Sequence, residues 1–452
     1  MKVAKFGGTS LASAEQIEKI CAIVTADPAR RLVVVSAPGK RDREDTKVTD
    51  LLIEVVRAQL TNQDGRTALA RVIDRYAAII ADLGLPDTAL APIVADFERR
   101  LAMSTSDEAL YTDAMKAGGE DNCARLVAEY LRYNGAEAHY LDPGEGGLIL
   151  SEEPGNARVL QASYGKLRQL KDRPGITISP GFFGYSPTGR VVTFSRGGSD
   201  ITGAILAAAV DATVYENFTD VDSVFVANPA LVENPVAVAE ITYREMRELS
   251  YAGFSVFHDE ALEPVFHAGI PVVVKNTNNP QAPGTRIVPE RAVGDRPVVG
   301  IAATDGFCSV YISKYLMNRE VGFGRRLLAI FEDEGISFEH TPSGIDNMSV
   351  IVRESYFNHA AEERVLRRIR TELEVDELSV ARGLALVMVV GEGMHHTIGL
   401  ASRACTAFAR ASVNIEMINQ GSSEVSMMFG IAAADIPAAV RSLYGEFFAS
   451  SG

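Results

Sequence analysis

Short runs of consecutive apolar, mostly β-branched residues constrain this chain more than any other feature. They are Leu32-Val33-Val34-Val35, Ile176-Thr177-Ile178, Val191-Val192-Thr193-Phe194, Thr213-Val214-Tyr215 and Pro271-Val272-Val273-Val274. Such runs are the pattern of strands covered on both faces. Between them lie segments with helical apolar spacing, such as Ala14–Val24, Asp121–Arg132 and Ile201–Val210. The alternation, from Arg31 to about Val288, predicts an α/β sandwich with a mainly parallel sheet. Sites in such sheets lie outside the carboxyl ends of the strands. The charged helical stretch Leu60 to Met115 reads as an insertion or flanking subdomain.

Strand ends are therefore where chemistry is sought. Lys5-Phe6-Gly7-Gly8-Thr9-Ser10 follows a first short strand and precedes a helix. Main-chain N–H groups in such a turn can face an anion, and the lysine adds a point charge. The lysine precedes the glycines, so this is not a Walker loop; a plain glycine turn is the alternative. A second turn, Phe194-Ser195-Arg196-Gly197-Gly198-Ser199-Asp200, opens an apolar helix. Arg196 offers a planar fork for a carboxylate or phosphate. Asp200 either caps its helix or turns to the ligand side, where it would position the lysine or a phosphate-bound Mg²⁺. Glu216-Asn217-Phe218-Thr219-Asp220 and Lys275-Asn276-Thr277 end two further strands. Glu120, after Ala117-Gly118-Gly119, is read at a helix start, where a first-turn dipole role competes with a ligand role. Two cationic glycine turns in one parallel sheet point to phosphate chemistry.

Length and composition narrow the class. The 452 residues suggest about three domains. A net charge of −15 without a dense basic run argues against nucleic acid. Cys21, Cys123, Cys308 and Cys405 are scattered and read as small hydrophobes in a reducing compartment. No cysteine or histidine spacing suggests a metal site. Nothing resembles a signal peptide, and no apolar run approaches the roughly 18 residues of a membrane helix. A cytoplasmic protein with no membrane partner is expected.

The proline- and glycine-rich stretch 280–297 marks a boundary, after which an internal repeat begins. Gly322, Ile336, Phe338, Glu339, Gly344 and Val350 recur 77 positions later as Gly399, Val413, Ile415, Glu416, Gly421 and Met427. Each copy reads β-α-β-β-α. A strand from Val298–Ile301 is expected to complete the second copy, nesting one module within the other. The expected division is 1–290, 298–375 and 376–452.

Together, Lys5–Ser10, Phe194–Asp200, Asn217–Asp222 and Lys275-Asn276-Thr277 with Pro283-Gly284-Thr285 resemble the aspartate kinases in order and spacing. The tail repeat is similar to that family's paired ACT modules. The resemblance implies an amino-acid-kinase α/β sandwich followed by two ACT domains. It implies transfer of the ATP γ-phosphoryl group to the side-chain carboxylate of L-aspartate, the step that opens lysine, threonine and methionine biosynthesis. Carried over, Lys5 with Phe6, Gly7 and Gly8 holds the transferring phosphoryl group, and Asp200 orients Lys5. Arg196 takes aspartate's α-carboxylate and Glu120 its α-ammonium, with Ser36, Thr49, Gly198 and Ser199 lining the pocket. Thr219, Asp220, Phe225 and Lys275 match the nucleotide side, and Mg²⁺ is held mainly by ATP oxygens and waters. Ala117, Phe225, Ala230 and Asp259 depart from the commoner family pattern, which touches details of ATP contact.

In the tail, the resemblance implies an effector site at Met317, Gly322 and Phe323, at the start of a helix, with Ser337, Phe338 and Glu339 on the next strand. Lysine is the expected ligand there. Asn414, Asn419 and Gln420 in the second copy suit threonine or no ligand; a dimer interface alone is the other reading. ACT modules imply a homo-oligomer. A kinase acting on glutamate or acetylglutamate, or a silent amino-acid sensor, remains an alternative at this point.

Overall fold

The apolar runs do form strands, and the glycine turns fall at their ends. The computed structural model describes residues 1–195, 197–254, 261–294, 296–421 and 425–449, to which all counts below refer. Two compact units emerge: 1–224 with 237–246 and 255–291, and 225–236 with 247–254 and 292–452.

The first unit carries strands β1 (Lys2–Phe6), β2 (Arg30–Val35), β3 (Ala138–Tyr140), β4 (Ile176–Pro180), β5 (Phe183–Tyr185), β6 (Val191–Thr193), β7 (Val214–Thr219), β8 (Glu240–Thr242), β9 (Val272–Asn276) and β10 (Thr285–Val288). Its helices are α1 (Ala14–Thr25), α2 (Val48–Leu60), α3 (Arg66–Asp82), α4 (Ala91–Leu101), α5 (Glu108–Tyr133), α6 (Pro143–Gly146), α7 (Ala162–Leu167), α8 (Gly198–Ala209), the start of α9 (Tyr243–Tyr251) and α10 (Glu263–Ala268). Eight strands form one sheet in the order β3-β4-β2-β1-β7-β9-β10-β8, parallel except where β9 meets β10. The mainly parallel α/β sandwich is thus borne out. Register sets the site: Phe6 pairs with Val35 and Phe218, and Phe218 with Lys275, so four strands end side by side. The Phe6 and Phe218 rings stack at 4.7 Å between centroids, fully buried beneath that edge.

Three local expectations need correction. Val191–Phe194 is not a strand of the large sheet; β6 pairs antiparallel with β5 as a separate hairpin. Gly189, at φ +81, closes its turn, and local pairing wins over insertion into the sheet. The run Thr213–Tyr215 extends to Thr219, because Glu216 and Asn217 are buried with partners and do not end the strand. Nor does a helix start near Asp121: α5 is capped by Asp107 and runs unbroken through Gly118-Gly119. Those glycines serve close packing. A Cβ on Gly118 would stand 2.9 Å from the Phe97 ring, and one on Gly119 2.9 Å from Ala37 Cβ. The stretch Leu60 to Met115 supplies α3 and α4, whose Tyr76, Ile79 and Phe97 join the same core as Phe6 and Val33.

The second unit is built on a six-stranded antiparallel sheet. Its strands are β11 (Gly300–Ser313), β12 (Phe338–His340), β13 (Asn347–Arg353), β14 (Glu377–Val390), β15 (Met417–Asn419) and β16 (Ser426–Ala432), ordered β12-β13-β11-β14-β16-β15. Helices α11 (Phe323–Asp333), α12 (His359–Leu373), α13 (Leu400–Arg410) and α14 (Ile436–Phe447) accompany it. The two long strands each serve both repeats. Phe307–Ser313 of β11 pairs with β13, while Gly300–Thr304 pairs with Leu386–Val390 of β14, which continues to β16. Gly306 and Gly383, both at positive φ, sit where the halves meet. The helices keep the 77-residue spacing: α13 starts and ends 77 positions after α11, and α14 starts 77 after α12.

Candidate active site

The site is built where β1, β2, β7 and β9 end. Lys5 is 7% exposed, and its Nζ lies 2.6 Å from Asp200 Oδ1. Asn217, which pairs with Lys5 in register, donates from Nδ2 to the same Asp200 oxygen at 2.7 Å. Asp200 therefore faces the lysine instead of capping α8, whose N-cap is Gly197 at φ +74. A buried ammonium is tolerable only with such an anionic partner. Here the partner is fixed to a helix start whose N–H groups favour negative charge.

The Gly7-Gly8 turn is packed against the loop after β2. Gly39 N–H donates to Gly8 O at 2.8 Å, and Ser36 N–H to Phe6 O at 3.2 Å. A Cβ on Gly39 would meet the Gly8 carbonyl carbon at 2.5 Å, so this approach requires glycine there. Val48 N–H donates to Pro38 O, which sets Thr49 in the first turn of α2 beside the same loop. The long loop is anchored at its far end by Asp45, which accepts from Arg75 and Arg41. Across the edge, the Ser10 and Thr277 hydroxyls meet at 2.7 Å, tying the β1 turn to the segment after β9.

Glu120 is buried on α5, with a hydrogen bond from the Ala37 main chain and the Lys116 charge nearby. Burial outweighs these and raises its carboxyl from 4.5 to about 7. Its Oε2 is buried without a hydrogen-bond partner. An orphaned carboxylate oxygen beside the loop after β2 is suited to a cation that arrives with a ligand. Gly198 and Ser199 are buried at the start of α8, and Thr219, Asp220 and Lys275 stand at or just past strand ends, the Thr219 hydroxyl donating to Asp220 at 3.2 Å.

The family model for the amino acid kinase family matches residues 1–276, and one for the ACT domain matches 387–447. Aspartokinase 3 of Bacillus subtilis is 56% identical over 449 residues, covering 99% of each chain. The crystal structure of Clostridium acetobutylicum aspartate kinase is 35% identical, with a TM-score of 0.87 over 99% of this chain and 100% of its own. Escherichia coli aspartokinase III, solved with aspartate and ADP, shares the fold at 24% identity and a TM-score of 0.79, over 99% of this chain and 100% of its own. This chain belongs to the aspartate kinases.

In this kinase the first unit gathers Lys5, Phe6, Gly7, Gly8, Ser36, Thr49, Glu120, Gly198, Ser199, Asp200, Thr219, Asp220 and Lys275. Phe225 falls in the second unit, half-buried. Arg196 and Asp259 lie outside the described residues. Ala230 is exposed. The expectation that Glu120 opens a helix is replaced by a mid-helix, buried position. Sequence reading missed Asn217 and Gly39 as parts of the site. The polar pair Glu216-Asn217, flanked by Val214-Tyr215 and Phe218, was the available signal for Asn217, the register partner of Lys5. No helix among the described residues is long and apolar enough to cross a membrane.

In the second unit, Met317 and Phe323 are buried in the core of the first repeat, Ser337 and Phe338 are exposed, and Gly322 caps α11 at φ +80. Glu339 is engaged at both oxygens. Arg353 Nε donates to Oε1 at 2.9 Å, and the Tyr251 hydroxyl donates to Oε2.

Proposed function

We propose that this protein transfers the γ-phosphoryl group of ATP to the β-carboxylate of L-aspartate, giving 4-phospho-L-aspartate. The observation that carries the reading is the Lys5–Asp200–Asn217 group at the aligned strand ends, beside two glycine turns. Phosphoryl transfer asks mainly for positioning and for charge placed in advance where it develops. Lys5, held by Asp200, meets the transferring oxygens. Phe6, Gly7 and Gly8 present main-chain groups to them, and Thr219, Asp220, Phe225 and Lys275 hold the nucleotide. Arg196 takes aspartate's α-carboxylate, Glu120 its α-ammonium through the unpartnered Oε2, and Ser36, Thr49, Gly198 and Ser199 complete the pocket. Magnesium enters as part of the MgATP substrate, held by phosphate oxygens and water. The site fits that mode, since Asp200 is already committed to Lys5 and Asn217 and no group of three or more His, Cys, Asp or Glu suited to a metal occurs among the described residues.

We assign the catalytic domain to 1–290 and the ACT regions to 298–375 and 376–452, with the second completed by the first half of β11. An effector amino acid, lysine foremost and threonine second, binds near Met317, Gly322, Phe323, Ser337, Phe338 and Glu339, where its ammonium competes with Tyr251 for Glu339. The protein acts in the cytoplasm as a homo-oligomer through its ACT regions. A coupled assay with aspartate and ATP, repeated with glutamate and acetylglutamate in place of aspartate, tests the reading. Turnover with aspartate alone is expected, slowed by lysine. No turnover with aspartate refutes it.

A further inference from the structure

Asp113 stands on α5 two turns before Glu120, and none of the roles above uses it. It is 2% exposed, yet both carboxylate oxygens are occupied. Oδ2 accepts from the main-chain N–H of Thr193 at 2.7 Å and of Gly155 at 2.8 Å; Oδ1 accepts from the Thr193 hydroxyl at 2.9 Å. Lys116 Nζ lies 3.6 Å from Oδ1, and the same ammonium sits 5.3 Å from the centre of the Phe182 ring. A carboxylate is costly to bury, and charge-assisted bonds to main-chain donors are among the strongest single ties available. What they tie is the informative part. Thr193 is the last residue of β6, and the chain runs from it through Phe194 and Ser195 towards Gly197 and α8. Phe194 N–H donates to Phe182 O at 2.9 Å, and a Cβ on Gly198 would stand 2.7 Å from the Phe182 ring. One turn of α5 thus grips both sides of the turn that leads into α8, through Asp113 on Thr193 and Lys116 on Phe182. Seven residues further along the same helix face stands Glu120.

We propose that Asp113 is a positioning residue for aspartate: it locks the end of β6, and with it the start of α8 at Gly198 and Ser199, to the helix that carries Glu120. Two sides of the aspartate pocket, Gly198 and Ser199 at the start of α8 and Glu120 on α5, then keep a fixed spacing. This rests on the reading of Arg196 and Glu120 given above. A misplacement of about 1 Å in such a clamp costs on the order of 10²-fold in rate.

Asp113→Asn keeps the volume but turns an NH₂ group towards donors. It raises the KM for aspartate by roughly tenfold or more and leaves the KM for ATP within about twofold. Thr193→Val removes only the hydroxyl bond and moves the aspartate KM the same way, by roughly threefold. It carries the test if Asp113→Asn does not fold. Folded variants with an unchanged aspartate KM overturn the inference, as does a parallel rise in both KM values, the mark of a merely structural role. Arg196→Lys separates the two levels. If it leaves aspartate use unchanged, the pocket reading fails and takes the inference with it. If it weakens aspartate use while the Asp113 and Thr193 variants do not, the positioning role alone falls.

Discussion

The two units differ most in what they bury. Among the described residues, every buried polar or charged side chain, from Lys5 and Glu120 to Thr277 and Thr285, belongs to the first unit. The second unit buries apolar side chains such as Val310, Leu327, Phe331 and Val350. Its ion pairs lie at least partly open to solvent, as in Arg368 with Asp333 and Glu372 and Arg364 with Glu334. Desolvating a charge is costly and is retained where a partner or a reaction requires it. Surface pairs contribute little. The first unit is therefore specific position by position, whereas the second needs only an apolar pattern and a few backbone conformations. Such a pattern is easily repeated, and within the second unit α11 and α12 recur 77 positions later as α13 and α14.

Removing a buried charge from the first unit is the sharpest way to break this contrast. Lys5→Met deletes the ammonium at the transferring oxygens while Asn217 still satisfies Asp200. Loss of one preorganised electrostatic contact costs on the order of 10²–10³ in kcat. Steady-state kinetics should show that loss with the protein still folded by circular dichroism. Turnover within a few-fold of the parent would move the chemistry elsewhere.

A smaller effect is expected at Glu120, visible in pH dependence. Burial favours its neutral form, so its contribution to stability is full below about pH 4.5 and is lost as pH rises through about 7. An ammonium at Oε2 reverses that preference. kcat/KM for aspartate should therefore climb as pH rises through about 7, where the carboxylate forms. Glu120→Gln should be roughly tenfold weaker for aspartate above that pH and lose the climb. A glutamine variant with the parent's pH profile would remove Glu120 from ammonium binding.

The same contrast explains what could be read in the sequence. Apolar runs dictated the parallel sheet, and glycines after Lys5 and before Asp200 marked strand ends, because these depend on local pattern. The repeat was legible for the same reason: Gly322 and Gly399 hold equivalent caps. Failures occurred where tertiary partners overrode pattern. Glu216 and Asn217 looked like a strand's end until Arg30 and Asp200 were found to satisfy them. Gly118-Gly119 looked like a break until Phe97 and Ala37 filled the space a side chain would need. Asp113 gave no signal at all, since its hydrogen-bond partners, two main-chain N–H groups and the Thr193 hydroxyl, stand 42 and 80 residues away.

The smallest expected effect probes whether the two repeats are energetically alike. Gly322 and Gly399 cap α11 and α13 at φ +80 and +87, and a Cβ at either would meet no atom within 4 Å. The cost of alanine is then purely that of a left-handed backbone, about 1–2 kcal/mol. Gly322→Ala and Gly399→Ala should lower the unfolding temperature by similar amounts, roughly 2–8 °C. Asparagine, which tolerates that conformation, should cost less at both sites. If the caps are only structural, adding lysine leaves the two alanine variants equally displaced from the parent. If the effector binds at the first cap, lysine raises the unfolding temperature of the parent and of Gly399→Ala more than that of Gly322→Ala, because ligand stabilisation follows affinity for the folded state. Equal costs without lysine and unequal gains with it would show that two copies built by the same pattern differ only where one of them meets a ligand.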